Sequence, residues 1–440
     1  MVRVVRRVLL VLVLLLVVAL VGGYLYARPL LLTGTGYAAH NACAVELLAG
    51  RDDPQDDLPP NPLVPFLRTS SSKGKVTGSL LGLLAKQTAH FTSGYGCTLG
   101  GTPRVPEVPV VTGASPVTDG PPAPELDTAI DRAFGSDLSA GDRAALGTRA
   151  VVVVKDGRVV AERYADGFSA DTRQLGWSMT KSVTNLLVGR LVAEGRVSVD
   201  DDDLRKEWTD GRSRITVDEL MRMTSGLAWD ETYALGTPIT RMLYVENDMG
   251  GYVASQPLAH PPGEHLQYSS GSTTLLCDIL LDRTGSDASL LHQQLFGPLG
   301  LSSFVVEPDA SGTPVCSSYG WATPRDWAAI GQLALDDGKV GPRRLLPAGW
   351  MRQATTATRA EETEEDQPYG AGWWLNRKAD GTAYDDRMPL DTFEALGHDG
   401  QSMAVIPSEG LVVLRMGFTP DPDLDDRFGA LVRDVVSTLG

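Results

Sequence analysis

The chain has 440 residues and carries 39 Lys and Arg against 55 Asp and Glu, a formal net charge of −16. Its apolar and charged fractions mark a globular chain rather than a disordered one, and the acidic surplus argues against nucleic acid or anionic lipid headgroups as partners. Four cysteines leave room for at most two bridges, and with no C-x-x-C pair and no His/Cys cluster at ligand spacing, no metal site is expected.

Arg3, Arg6 and Arg7 precede an apolar run that begins at Val8 and carries through Gly22 to Tyr26. Its length approaches the roughly 20 residues that cross a bilayer core. The basic flank predicts a cytoplasmic N-terminus with the rest of the chain outside the cell membrane. Residues 1–32 are therefore expected to be a single-pass anchor. A cleaved signal segment, leaving a secreted protein, is the alternative. Residues 33–100 read as a preamble. An oxidising location makes Cys43 and Cys97, which flank it, candidates for a disulfide, with two free thiols as the alternative. Seven prolines between 103 and 124 predict an extended linker over residues 101–124.

The main domain is expected over 125–440. A helix is predicted across Glu125–Phe134. Two β-branched runs, Ala150–Val154 and Arg158–Tyr164, surround Asp156-Gly157 and predict a hairpin. A helix follows over Met179–Glu194, with Val183, Leu186, Leu187 and Leu191 spaced for one buried face. The middle, to about residue 335, reads as helix and loop, with Cys277 as a small core residue. The acidic run Glu361–Asp366 reads as a solvated loop. Strands return at Met403–Ile406 and Leu411–Met416, and a last helix is predicted over Leu424–Leu439. Strands at both ends with helices between them predict an α/β (α+β) fold. It has one antiparallel sheet flanked by helices, an inserted, mostly helical lobe, and a ligand cleft between the two.

Three constellations are candidates for chemistry, with a helix N-cap serine beside a surface lysine, a packed loop tyrosine and an exposed turn histidine as the respective alternatives. Ser178-Met179-Thr180-Lys181 opens an amphipathic helix, so a lysine one turn on can reach the serine hydroxyl, which needs a base to become a nucleophile. Ser70/Lys73 and Ser72/Lys75 repeat the spacing, but in a polar loop. Tyr268-Ser269-Ser270-Gly271 places a tyrosine on a loop at a helix start. Gly397-His398-Asp399-Gly400-Gln401 puts His398 between glycines ahead of a strand.

In this order the three motifs resemble the serine β-lactamase-related hydrolases: class C β-lactamases, DD-peptidases, esterases and 6-aminohexanoate-dimer hydrolases. The segment Ile215-Thr216-Val217 through Met223-Thr224-Ser225-Gly226-Leu227-Ala228-Trp229-Asp230-Glu231 is similar to the 6-aminohexanoate-dimer hydrolase branch. Ser318-Tyr319-Gly320-Trp321 through Trp327 looks like the stretch preceding the family's long helix in the helical lobe. The resemblance covers about residues 120–440 and implies a β-lactamase-like fold. It implies that Ser178 is acylated, Lys181 is the general base and Tyr268 passes a proton to the leaving group. His398 and Gly400 would close the site along an edge strand. The backbone N–H groups of Ser178 and Gln401 would form the oxyanion hole. Two departures stand out. Ser270 occupies the place of the family's Tyr-x-Asn amide, and a shorter hydroxyl is not expected to replace that amide. His398 replaces a common lysine. Both point away from β-lactams and toward a small-molecule ester or linear amide, with no metal or cofactor. Specificity is expected to lie in loops such as Trp229–Met249 and Thr355–Tyr369. The reading from another class is a catalytically silent domain that binds wall peptides or another protein.

Overall fold

The computed structural model describes residues 2–59, 61–421, 424 and 427–440. Its centre is a seven-stranded sheet. The strands lie in the order Trp374–Leu375, Phe393–Gly397, Gln401–Ile406, Leu411–Gly417, Thr148–Lys155, Arg158–Tyr164 and Thr118–Asp119. Every pairing is antiparallel except the last. The N-terminal hairpin and the C-terminal strands meet where Leu411 pairs with Lys155. Asp156 and Gly157 turn the hairpin, both at positive φ (50° and 76°), as a tight two-residue connection requires.

The run Val151–Val154 does not alternate with polar residues because both faces of the sheet are covered. Val152, Val154, Met403, Val405, Val412 and Leu414 face one core, while Val151, Val153, Ala404, Ile406, Leu411 and Val413 face another. The second core is closed by the helices Asp127–Ala133 and Phe428–Leu439. The sequence predicts the last helix from Leu424, but residues 425 and 426 lie outside the described residues. Helix Pro324–Leu335 packs on the strands of the sheet and not in the helical lobe, which corrects the placement implied by resemblance. That lobe is built around Ser270–Thr284, packed against Val217–Met221, Pro238–Tyr244 and Met249–Ala254.

Helix Met179–Ala193 lies between sheet and lobe. The spacing of its leucines predicts one buried face. The structure buries Lys181, Ser182, Thr184 and Asn185 as well, because protein surrounds the helix on nearly all sides. The strand Gln401–Ile406 is not an edge strand, as two shorter strands pair outside it.

The N-terminal part differs most from expectation. One helix runs from Val2 to Cys43, straight through the boundary placed at residue 32. Its first half is exposed and apolar, long enough to cross a membrane. Its last part, including Thr35, Ala38, Ala39, Ala42 and Cys43, is buried in the protein. A four-stranded antiparallel sheet, Leu67–Ser72, Lys75–Leu80, Leu84–Thr92 and Gly96–Leu99, packs on it. At Gly78 a β-carbon would stand 2.3 Å from the Thr35 carbonyl oxygen, so the close approach requires glycine. Cys43 is joined to Cys97. Buried Glu307 ties this unit to the body, accepting from the Cys97 N–H (2.6 Å) and Trp321 Nε1 (2.9 Å) and pairing with His40 Nε2 (3.1 Å). The proline-rich segment is pinned along its length: the Thr112 and Gly113 N–H groups donate to the Gly297 carbonyl, and Thr118–Asp119 adds a strand inside the expected linker.

Candidate active site

Ser178 stands at the N-cap position of helix Met179–Ala193 without its hydroxyl making a capping bond, and the helix dipole there favours developing negative charge. The residue before it, Trp177, has φ +46°, a left-handed conformation that is strained for a bulky side chain. Trp177 is held there by edge-on contacts with Tyr37 and Tyr233 (6.3 Å each) and His398 (5.8 Å).

Lys181 stands one turn on and is only 2% exposed. Its Nζ lies 2.7 Å from Ser178 Oγ, 2.9 Å from Ser270 Oγ and 3.1 Å from the Ser317 carbonyl oxygen. The direction of each bond follows from the partners. The Ser317 carbonyl can only accept. The Ser270 hydroxyl donates to Glu231 Oε1, so it accepts from the lysine. A neutral amine with two N–H groups thus uses both of them and aims its lone pair at the Ser178 hydroxyl. Burial pushes the ammonium down to about 8, against an opposing pull from Glu231. The Cys277–Cys316 disulfide fastens helix Ser270–Thr284 beside Ser317. Cys277 is therefore buried but bonded, not merely a small core residue.

Glu231 was not singled out by sequence reasoning. Its carboxylate accepts from the Ser270 N–H (2.9 Å), the Ser270 hydroxyl and Trp229 Nε1 (2.6 Å). Ser270 is itself fully buried and faces Lys181 and Glu231, not the cleft. Ser270 thus reaches the lysine at 2.9 Å while its own proton goes to the carboxylate behind it, which leaves the hydroxyl no donor to offer a substrate amide. The available signal was its place at the end of the Met223–Glu231 motif, which carried the resemblance but gave Glu231 no role of its own.

Tyr268 lies over the lysine, with Nζ 4.7 Å from its ring centroid. It stacks on Trp374 (5.1 Å) and meets Tyr369 edge-on. Burial, then the Glu231 charge, hold its phenol above its ordinary range, while the Ser178 hydroxyl pulls the other way. Its backbone N–H donates to Glu365 (3.3 Å), and Gln267 Nε2 reaches Glu364 (3.1 Å). The acidic run read as a solvated loop thus grips the tyrosine loop.

His398 stacks on Tyr233 (4.2 Å) and borders Trp177, not Ser178. Gly400 is buried at φ +85°, and its carbonyl is taken by Arg415 Nη1 (2.5 Å). Gln401 turns its side chain inward, donating from Nε2 to the Asp399 (3.1 Å) and Gly417 (2.7 Å) carbonyls, which anchors its backbone. The adjoining Gly397 has no room for a side chain: a β-carbon would meet the Gly176 carbonyl oxygen at 2.2 Å. Ser70/Lys73 and Ser72/Lys75 lie on the hairpin of Leu67–Ser72 and Lys75–Leu80, in the N-terminal sheet.

A cavity of about 140 Å³ is bounded by Tyr233 and His398 and by Tyr37, Leu63, Leu235 and Tyr244. Tyr37 belongs to the N-terminal helix, so that helix helps to wall this cavity.

The Beta-lactamase family profile matches residues 138–435. The 6-aminohexanoate-dimer hydrolase of Paenarthrobacter ureafaciens is 24% identical over 308 residues, covering 63% of this chain and 74% of that protein. A family VIII carboxylesterase structure has TM-score 0.58 at 18% identity, covering 73% of this chain and 99% of that one. A penicillin-binding protein homologue from Caulobacter crescentus has TM-score 0.56 at 19% identity, covering 73% and 100%. The two structures establish the likeness of fold.

Proposed function

The chain belongs to the beta-lactamase family, and from that premise we propose that it is a membrane-anchored, extracytoplasmic serine hydrolase acting through an acyl-enzyme on Ser178. The observation that carries this reading is the buried Lys181 amine, 2.7 Å from the Ser178 hydroxyl and held near pKa 8.

The proposed sequence of steps follows from the proton positions. Neutral Lys181 accepts the Ser178 proton as Oγ attacks the substrate carbonyl carbon. Charge developing on the carbonyl oxygen is met by the Ser178 and Gln401 N–H groups. Tyr268, whose phenol stays protonated, relays a proton from Lys181 to the leaving alcohol or amine. Water then attacks the acyl carbon, gives its proton back through the same groups, and releases Ser178. Between the two candidate bases, the lowered lysine and the raised tyrosine divide the roles: Lys181 removes protons and Tyr268 hands them on.

The cavity beside His398 and Tyr233 has about the volume that holds one benzene-sized group. Its lining includes neither Ser178 nor Lys181 nor Tyr268, so it is not assigned to the reacting part of the substrate. The proposal includes the division of the chain into an anchor over 1–32, a preamble over 33–100, a linker over 101–124 and a catalytic domain over 125–440. It places everything after the anchor on the extracytoplasmic side.

The test is turnover of short-chain aryl esters by the full chain in detergent. Ser178→Ala is expected to abolish hydrolysis, and Lys181→Ala to lower kcat/KM by at least about 10². Undiminished turnover in Ser178→Ala would contradict the proposal. A chain that turns over no ester or amide, yet binds wall peptides, would favour a silent binding domain.

A further inference from the structure

Sequence spacing predicts no metal site, but the fold brings His260, His265 and Glu362 together. One ligand atom from each lies within 4.8 Å of the others. The two imidazoles are stacked at 3.9 Å and nearly parallel, so His260 has to turn out of the stack for its in-plane lone pair to meet the ion that His265 holds. His265 is 8% exposed, and its Nδ1 is buried without a hydrogen-bond partner. That nitrogen faces Glu362 Oε2 at 3.3 Å, close to the roughly 3.4 Å between two ligands about 2.1 Å from a tetrahedral zinc. The other ring nitrogen, Nε2, stands 3.1 Å from Glu364 Oε1. A carboxylate behind a metal-binding histidine fixes the ring and its tautomer in just this way.

We propose that His260, His265 and Glu362 form a structural divalent-cation site, with Glu364 orienting His265. Two imidazoles and one carboxylate suit Zn²⁺ better than Ca²⁺ or Mg²⁺. The cation fastens the acidic run to the loop that carries Tyr268. The two segments already touch there as a short parallel pair, Glu362 with His265 and Thr363 with Leu266. Its role is to hold a loop, so its measurement does not depend on turnover.

The test uses the untagged full chain in detergent, stripped with EDTA and titrated with Zn²⁺ by calorimetry. One Zn²⁺ per chain is expected, with affinity falling at least about tenfold in His260→Ala and in Glu362→Gln. Trypsin cleavage after the exposed Arg359 should slow about tenfold when free Zn²⁺ is ten times Kd. The proposal is overturned if no Zn²⁺ binds, if both variants bind as the wild type does, or if Zn²⁺ leaves cleavage at Arg359 unchanged.

A second observation stands apart from the first. Strands Lys75–Leu80 and Leu84–Thr92 are joined by a turn whose leucines face solvent: Leu81 is 58% and Leu83 77% exposed. Phe66, 49% exposed, borders the turn, its carbonyl accepting from the Leu81 N–H at 2.9 Å. The Ala85 N–H donates to Tyr24 Oη at 3.1 Å. Tyr24 lies at the outer end of the apolar run, so this turn sits at the depth of the membrane helix's own interfacial ring. The opposite end of the same sheet, at Lys73 and Gly74, is polar and about 20 Å away along the strands.

We infer that the Leu81–Leu84 turn inserts into the outer leaflet as a second contact with the lipid bilayer. This rests on the reading of the N-terminal helix as a membrane span. Continuity of the apolar surface from helix to turn, and the Tyr24 bond that fixes their relative depth, identify lipid as the occupant. Both disulfides occupy the native cysteines, so Leu83→Cys, Lys73→Cys and Leu14→Cys can each carry one fluorescent label in the full chain. In phosphatidylcholine vesicles containing nitroxide-labelled lipid, the labels at 83 and 14 are expected to be quenched and the label at 73 to be spared. Quenching at 14 with none at 83 overturns the second contact and leaves the span standing. Quenching at neither overturns both.

Discussion

In the proposed mechanism, Lys181 is the residue on which the chemistry turns. Its burial favours the neutral amine, and its placement between Ser317, Ser270 and Ser178 gives that amine a direction. With a pKa near 8, the protonated form dominates below that value and cannot act as a base. The rate should therefore rise with unit slope up to about pH 8 and level off above it, read as log kcat/KM against pH for an ester substrate. Glu231 raises the lysine's proton affinity. Glu231→Gln should move that limb to lower pH as well as lowering the plateau, a displacement that simple loss of folded protein would not produce. The serine and lysine were legible in the sequence because they are local, three positions apart at a helix start. Glu231 was not, because its link to Ser270 joins two loops whose proximity depends on the whole lobe.

The elements around the site show how little tolerance it has. Strand Phe393–Gly397 ends against Gly176, one residue before Trp177, with no room for a β-carbon. Gly397→Ala should push the strand and the paired Gln401 backbone away from Ser178. A misplacement on the order of 1 Å lowers kcat by about 10², with KM less affected. On the same strand, burial pushes Glu394 up to about 7. The folded protein then holds a proton that the unfolded chain releases near pH 4.3. Stability contributed by that proton is full below about pH 4.3, declines as pH rises, and is gone above about 7. Glu394→Gln keeps an acceptor for Gln367 Nε2 (3.0 Å) without the charge. It should stabilise the protein by on the order of 1–3 kcal/mol at pH 8 and by little near pH 4.5, read from urea-unfolding midpoints. The longer strands and the helix Met179–Ala193 were readable from β-branched runs and leucine spacing. Phe393–Gly397 and Trp374–Leu375 were not, since two to five residues carry no period, and overlooking them made Gln401–Ile406 look like an edge.

At the scale of the whole molecule, the apolar N-terminal helix and the body of the fold are one piece. The sheet, the inserted lobe and the three motifs could be read from sequence because each leaves a local pattern. The continuation of the N-terminal helix into the fold left none: beyond Tyr26 its residues are neither a membrane run nor an amphipathic stripe, and only the packing of Thr35–Cys43 on the four-stranded sheet shows their place. Truncation should expose this. A chain beginning at residue 27 is expected to leave the membrane yet melt within a few degrees of the full protein. One beginning at residue 44 loses the Cys43–Cys97 bridge and the buried helix, and should fail to give a cooperative melt. A bridge closing a loop of this length contributes about 4 kcal/mol by itself. The full chain is therefore the species on which the central claim is best examined. Intact-mass spectrometry after reaction with a fluorophosphonate, followed by peptide mapping, measures it directly. The account predicts one adduct per chain, on Ser178, absent in Ser178→Ala. An unmodified Ser178 in folded protein, or an adduct that persists in Ser178→Ala, would contradict it.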